Sequence, residues 1–277
     1  MKPAQPAGGG QTARAAGRIA AAACLLLLLG APLWLGWYEP GLFIYLNHSA
    51  AALPPPLWTG LSLLGNGWGL LALTSPLLVL APRLMWAWLF AAPFAALLSR
   101  GIKAWLDNPR PAAVLSRDRF DLMGEVFYNQ SFPSGHTLSA FAAASAIYLA
   151  ARPLAGRWVH LLPGLFVLAV GVGLSRVAVG AHWPADVWAG AALGLLAGAL
   201  GHLLQQRVGP GWYRPHGAPQ IGLALVLLLT LWQLASSTLD FEQNRPLQLL
   251  LMLPVAASLL AFAALLWRER RALPGLH

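Results

Sequence analysis

The sequence predicts an all-α fold, a polytopic membrane helical bundle with a six-span core and two extra C-terminal spans, on three observations. Of its 277 residues, 58% are hydrophobic and 10% charged, against roughly 25% charged in a soluble domain. Apolar stretches close to the ~20 residues that cross a bilayer recur along the whole chain. The basic residues sort onto alternate connections between those stretches, as the positive-inside rule requires.

Residues 1–18, rich in Gly, Ala and Gln, are expected to form a disordered cytoplasmic N-terminus. The first span is 19–38, "IAAAACLLLLLGAPLWLGWY", behind Arg14 and Arg18. It is longer than the core of a signal peptide and no small-x-small cleavage site follows it, so it is expected to stay as an anchor. Cys24 precedes the leucine run, which also argues against a lipoprotein signal. As the single cysteine, it excludes an internal disulfide framework or a cysteine-based metal cluster. An outer connection, 39–56, ends in "LPPP", and further spans follow at 57–80, 84–102, 136–151, 159–177 and 183–204. "GLLAGALG" in the sixth span suits close helix packing. The inner segment "RVGPGWYRPHGAPQ" separates the core, 19–206, from a two-span addition, 207–277, with spans at 219–237 and 247–267.

With the N-terminus cytoplasmic, the inner side collects Lys2, Arg14, Arg18, Arg83, Arg152, Arg157, Arg207, Arg214, Arg268, Arg270 and Arg271, opposed only by Glu269. The outer side holds the other seven basic residues, six of them within 100–119 or at Arg176 and the seventh Arg245, with eight of the nine acidic ones. The net charge of +9 therefore reports topology and gives no ground for a nucleic-acid partner. Both termini are expected in the cytoplasm of a bacterial cell, with the protein in its inner membrane. Trp34, Trp37, Tyr38, Trp58, Trp105 and Trp183 are expected as an outer aromatic belt, and Trp158, Trp212 and Trp267 as an inner one.

Three outward segments carry polar chemistry. "KAWLDNPRP" sets Lys103 and Arg110 at the end of the third span, with Pro109 and Pro111 fixing the backbone on either side of a guanidinium suited to phosphate. Alone, such cations are ordinary boundary residues. "SFPSGHT" leads through Ser134 and Gly135 into the fourth span with His136 in its first turn, and a helix N-terminus is an anion site. Alone, it is an ordinary serine cap. "SRVAVGAHWPAD" brings Arg176, His182 and Asp186 together where Pro184 starts the sixth span, at His182 or Trp183. A carboxylate four residues on can hold one imidazole nitrogen and leave the other as a nucleophile, and a plain capping pair fits equally well. An intramembrane ionisable cluster nevertheless points to function. All three segments fall on one side, supplying three cations, two histidines, a carboxylate and a helix N-terminus, a set suited to phosphoryl transfer.

In that order, K-x6-R-P, P-S-G-H and S-R-x5-H-x3-D resemble the tripartite signature of the type 2 phosphatidic acid phosphatase superfamily. The match falls at Lys103, Arg110, Pro111, Pro133, Ser134, Gly135, His136, Ser175, Arg176, His182 and Asp186. The resemblance implies a membrane lipid phosphatase. His182 would form a phosphohistidine, Asp186 would orient it and His136 would act as the acid. Lys103, Arg110, Ser134, Gly135 and Arg176 would bind the phosphate. The substrate would be a lipid phosphate or diphosphate, such as a polyprenyl diphosphate, phosphatidylglycerol phosphate, phosphatidic acid or lipid A. No metal or other cofactor is expected, because no carboxylate cluster or His/Cys spacing suits one. Arg117 and Arg119, beside Asp118 and Asp121, fit solvated loop charges better than a second phosphate site. A phosphotransferase using the same site is the near alternative. A transporter or channel is the distant one, and it fits poorly with charges gathered near one surface. The resemblance leaves the last two spans unexplained.

Overall fold

Proline and asparagine set the helix boundaries that position the outward face. The computed structural model describes residues 9–31 and 40–272. Its helices are α1 (Gly9–Leu29), α2 (Pro40–Ala50), α3 (Pro55–Gly65), α4 (Gly67–Thr74), α5 (Pro82–Leu106), α6 (Gly135–Ala151), α7 (Gly164–Ala178), α8 (Pro184–Gln205), α9 (Ala218–Ser236) and α10 (Arg245–Ala272), with short helical turns between some of them. Proline stands in the first turn of α3, α5, α8 and α9, where its missing N–H costs nothing. Among the described residues, five helical stretches are long and apolar enough to cross a membrane: Pro82–Val114, Gly156–Ala178, Pro184–Gln205, Pro210–Ser236 and Glu242–Arg271.

Helix α8 is the hub, packed on α1, α5, α6 and α7. The small residues of its sequence allow this. A Cβ on Gly190, Gly194 or Gly198 would stand 2.7, 2.5 or 2.5 Å from a carbonyl oxygen of Ser134, Leu138 or Ala142. One face of α8 thus lies directly on the backbone of α6, holding the two histidine-bearing helix starts side by side. Helices α9 and α10 form a hairpin against α4, and their connection lies over α3.

The structure corrects several expectations. Helix α1 begins at Gly9, inside the segment expected to be disordered. Its Ala16 is buried against Leu149 and Ala199, and tertiary packing of this Ala-rich stretch outweighs its polar composition. Residues 1–8 lie outside the described residues, as do Trp34, Trp37 and Tyr38 of the expected belt. The expected span 57–80 is broken. Asn66 is extended (φ −70°, ψ 143°), ends α3 and caps α4 by accepting the Trp68 N–H at 3.0 Å, and a second break follows at Ser75 and Pro76. Broken helices occur at membrane depth where they line a cavity, and Asn66 lines one. Trp58 and Trp183 are buried rather than in a lipid-facing belt. Each ring fills the protein interior, and each indole N–H is satisfied by a carbonyl, Ala50 at 2.8 Å and Pro109 at 2.9 Å.

Candidate active site

The three outward segments meet above the hub. His182 lies one residue ahead of the Trp183 cap, so it sits just before α8 rather than on its face. The turn that delivers it depends on Gly180 (φ +75°), where a Cβ would stand 2.6 Å from the Asp121 carbonyl oxygen. The Ala181 and His182 N–H groups both donate to the Arg176 carbonyl, at 3.0 and 3.2 Å, so the last turn of α7 fixes this loop.

Asp186 is fully buried, and its Oδ2 accepts from Ser131 Oγ (2.5 Å), the Trp183 N–H (2.9 Å) and His182 Nδ1 (3.3 Å). Donation from Nδ1 leaves Nε2 of His182 with its lone pair. Burial, then the nearby charges of Arg110, Arg176 and Lys103, push the His182 pKa well below its ordinary value, so the ring is neutral at pH 7.

Three cations act on that ring, and one of them touches its Nε2. Arg110 Nη1 is 3.4 Å from His182 Nε2 and donates to the Ala181 carbonyl at 3.0 Å, while its Nε donates to Asn129 at 2.9 Å. Lys103, in the last turn of α5, donates to the Gln130 and Ser131 carbonyls. Arg176 is buried and donates to Ser62 Oγ, while its Nε has no hydrogen-bond partner among the described residues. A buried guanidinium with unused donors can take up an oxyanion without giving up protein bonds. Ser134 stands at the N-cap of α6 but makes no capping bond. It accepts from Thr137 Oγ1 at 2.9 Å, which leaves its own hydroxyl proton free to donate. Its N–H donates to the Asp186 carbonyl at 3.0 Å, and Gly135 follows as the first residue of the helix.

His136 completes the set from the other side. Its Nε2 lies 3.2 Å from Asp240 Oδ2, in the connection between α9 and α10. All eight residues singled out by the motifs therefore gather on one face. Sequence reasoning missed Asp240, Ser131, Ser62 and Asn66. Asp240 gave a signal as an acidic residue on the same predicted side as the motifs, Ser131 opens the second motif segment, and Gly65 and Gly67 flank Asn66. Arg117 and Arg119 are exposed in a short helical turn and touch none of the site.

The sequence profile described as "PAP2 superfamily" matches residues 84–210. A decaprenylphosphoryl-5-phosphoribose phosphatase of Mycobacterium tuberculosis is 34% identical over 145 residues, which cover 51% of this chain and 75% of that protein. The chain belongs to the PAP2 superfamily. Among other PAP2 relatives, a lipid A 1-phosphatase of Porphyromonas gingivalis is 36% identical over 28% of this chain and 17% of its own length. A phosphatidylglycerophosphatase B of Bacillus subtilis is 36% identical over 36% of this chain and 47% of its own length. The chain thus spans less than half the length of either. The crystal structure of LpxE from Aquifex aeolicus superposes with a TM-score of 0.52 at 26% identity, over 63% of this chain and 98% of that one. A PAP2-type phosphatidylglycerolphosphate phosphatase from B. subtilis shares the fold, with a TM-score of 0.54 at 24% identity over 69% and 98%. Since the profile match ends at residue 210, the α9–α10 hairpin lies beyond it.

Proposed function

We propose that the chain is an integral membrane phosphatase that hydrolyses a lipid phosphate or diphosphate through a phosphohistidine. The observation that carries this is His182 Nε2, left with its lone pair by Asp186, 3.4 Å from Arg110 and within the field of Lys103 and Arg176. In the first step Nε2 attacks phosphorus, the bond from phosphorus to the lipid oxygen breaks, and that oxygen takes a proton from His136. In the second, water attacks the phosphohistidine and gives its proton to His136, and the P–N bond breaks to release phosphate. Lys103, Arg110, Arg176, the Ser134 hydroxyl and the Gly135 N–H hold the phosphoryl oxygens. Three fixed cations supply the neutralisation that phosphoryl transfer requires, so activity is expected to persist in excess EDTA.

A lipid substrate fits the surroundings. A cavity of about 290 Å³ between α4, α5 and α6 is lined by Leu70, Trp88, Ala92 and Ala95 together with Asn66, Arg100 and His136. An acyl or prenyl chain lying there would bring its oxygen to the acid. The relatives' names, which cover lipid A, decaprenylphosphoryl and phosphatidylglycerol phosphate substrates, agree with that class. The test is phosphate release by the purified protein from polyprenyl diphosphate, phosphatidylglycerol phosphate, phosphatidic acid and lipid A. Release from at least one is expected, and release from none would end the proposal.

The charge distribution supports a site on the outer face of the inner membrane, with both termini cytoplasmic. Single cysteines replacing Arg117 and Arg214 in a Cys24→Ser background test this with an impermeant thiol reagent on intact cells. Position 117 is expected to label and 214 is not, and the opposite pattern would move the chemistry to the cytoplasmic side.

A further inference from the structure

We infer that Asp240, from the hairpin that follows the core, is the positioning carboxylate of His136, so that the site contains two histidine–carboxylate pairs. The inference rests on the phosphatase reading, in which His136 must carry a proton among three cations. Asp240 Oδ2 lies 3.2 Å from His136 Nε2, and Asn66 Nδ2 bonds both carboxylate oxygens, at 3.2 and 3.1 Å. The connection that bears Asp240 is built rather than loose. Phe241 is buried beside Trp58, Ala178 and Val179, and it closes on Gly124, whose Cβ would stand 2.7 Å from the ring. From α10, Gln248 donates to the Ser237 carbonyl at 2.9 Å and Arg245 donates to the Ala235 carbonyl at 2.6 Å. Asp240 itself is left-handed (φ +58°), a conformation that costs least for Asp and Asn among residues with a side chain. Burial works against its ionisation, but the His136 hydrogen bond, the His136 charge and Arg176 outweigh it and hold its carboxyl below the usual range. It is therefore a carboxylate at neutral pH.

That carboxylate has two effects. It supplies the counter-charge an imidazolium needs beside Arg176, and by accepting from Nε2 it leaves Nδ1 as the nitrogen that hands its proton to the departing lipid oxygen. Asp240 keeps its own charge throughout. The proton leaves Nδ1 as the P–O bond breaks and returns there from water in the second step. Between the two steps the neutral ring keeps its remaining proton on Nε2, hydrogen-bonded to Asp240.

Leaving-group chemistry tests this. An alkoxide needs a proton to depart, whereas nitrophenolate leaves as a stable anion. First-turnover rate constants of the protein, in saturating excess over dodecyl phosphate or 4-nitrophenyl phosphate, do not depend on the folded fraction of a variant. Wild-type turnover of either substrate verifies the phosphatase reading on its own. Asp240→Asn is expected to slow the alkyl substrate by about 10-fold or more relative to the aryl one, with Asp240→Glu recovering part of that ratio. Equal slowing of both substrates, or slowing of neither, would overturn the assignment.

Discussion

The two histidines are held in opposite ways. His182 and Asp186 are four residues apart, with side chains 3% and 0% exposed, and both belong to the matched core. His136 and Asp240 are 104 residues apart, 22% and 23% exposed, and the carboxylate comes from a hairpin outside that core. A local pair is fixed by backbone geometry once the last turn of α7 and the start of α8 have formed. The distant one exists only when four elements, α4, α6, α9 and α10, have packed. The comparison separates the group that must be neutral and invariant in place, the nucleophile, from the group whose proton must come and go.

The sharpest way to break the comparison is to delete one member of each pair. His182→Ala removes the bond-forming atom and is expected to reduce phosphate release below about 10⁻⁴ of wild type, with the fold kept as judged by circular dichroism. Asp186→Asn leaves the atom and loses its orientation, so kcat is expected to fall by about 10³-fold, a smaller loss measured in the same assay.

The pH profile sharpens it further. Only neutral His182 attacks, and its pKa is lowered, chiefly by burial and then by Arg110. A ring of ordinary pKa would lose activity below about pH 6.5. Here the acid limb belonging to His182 in kcat/KM is expected well below that pH. An acid limb near pH 6.5 that vanishes when substrate ionisation is corrected would leave the expectation standing, and one that persists would refute it.

The smallest expected effect concerns Asn66. Asn66→Ser keeps a capping side chain for α4 but removes the amide that holds Asp240. It is expected to lower kcat on alkyl phosphates by about threefold, consistent with the loss of a single polar contact. No change would show that Phe241 and Gln248 suffice to hold the loop.

Much of the fold and most of the site were legible because they are written locally. Span positions follow from runs of apolar residues, and the sides of the connections follow from where Lys and Arg fall. Lys103, Arg110, His136, Arg176, His182 and Asp186 each sit at a predicted helix end, where exposed backbone and polar chemistry coincide. The break at Asn66 was missed because the hydropathy of 57–80 averages over it, although Gly65 and Gly67 flank it in the sequence. Ser131 and Ser62 were missed because a serine in a loop or a span has many possible partners, and only packing selects Asp186 or Arg176. Trp58 and Trp183 show the reverse failure, since position at a boundary does not say which way an indole faces.

The interlock of Phe241 with Gly124 has a consequence for how the protein comes into being. Synthesis runs from the N-terminus, so all three motifs emerge and can insert before residue 240 exists. Until the last two helices have been threaded into the bilayer and their connection has closed over Gly124, His136 stands beside the cations without its carboxylate. Maturation of the site then waits for the hairpin, and a ribosome-stalled or truncated chain ending before it would hold a nucleophile but an unfinished acid.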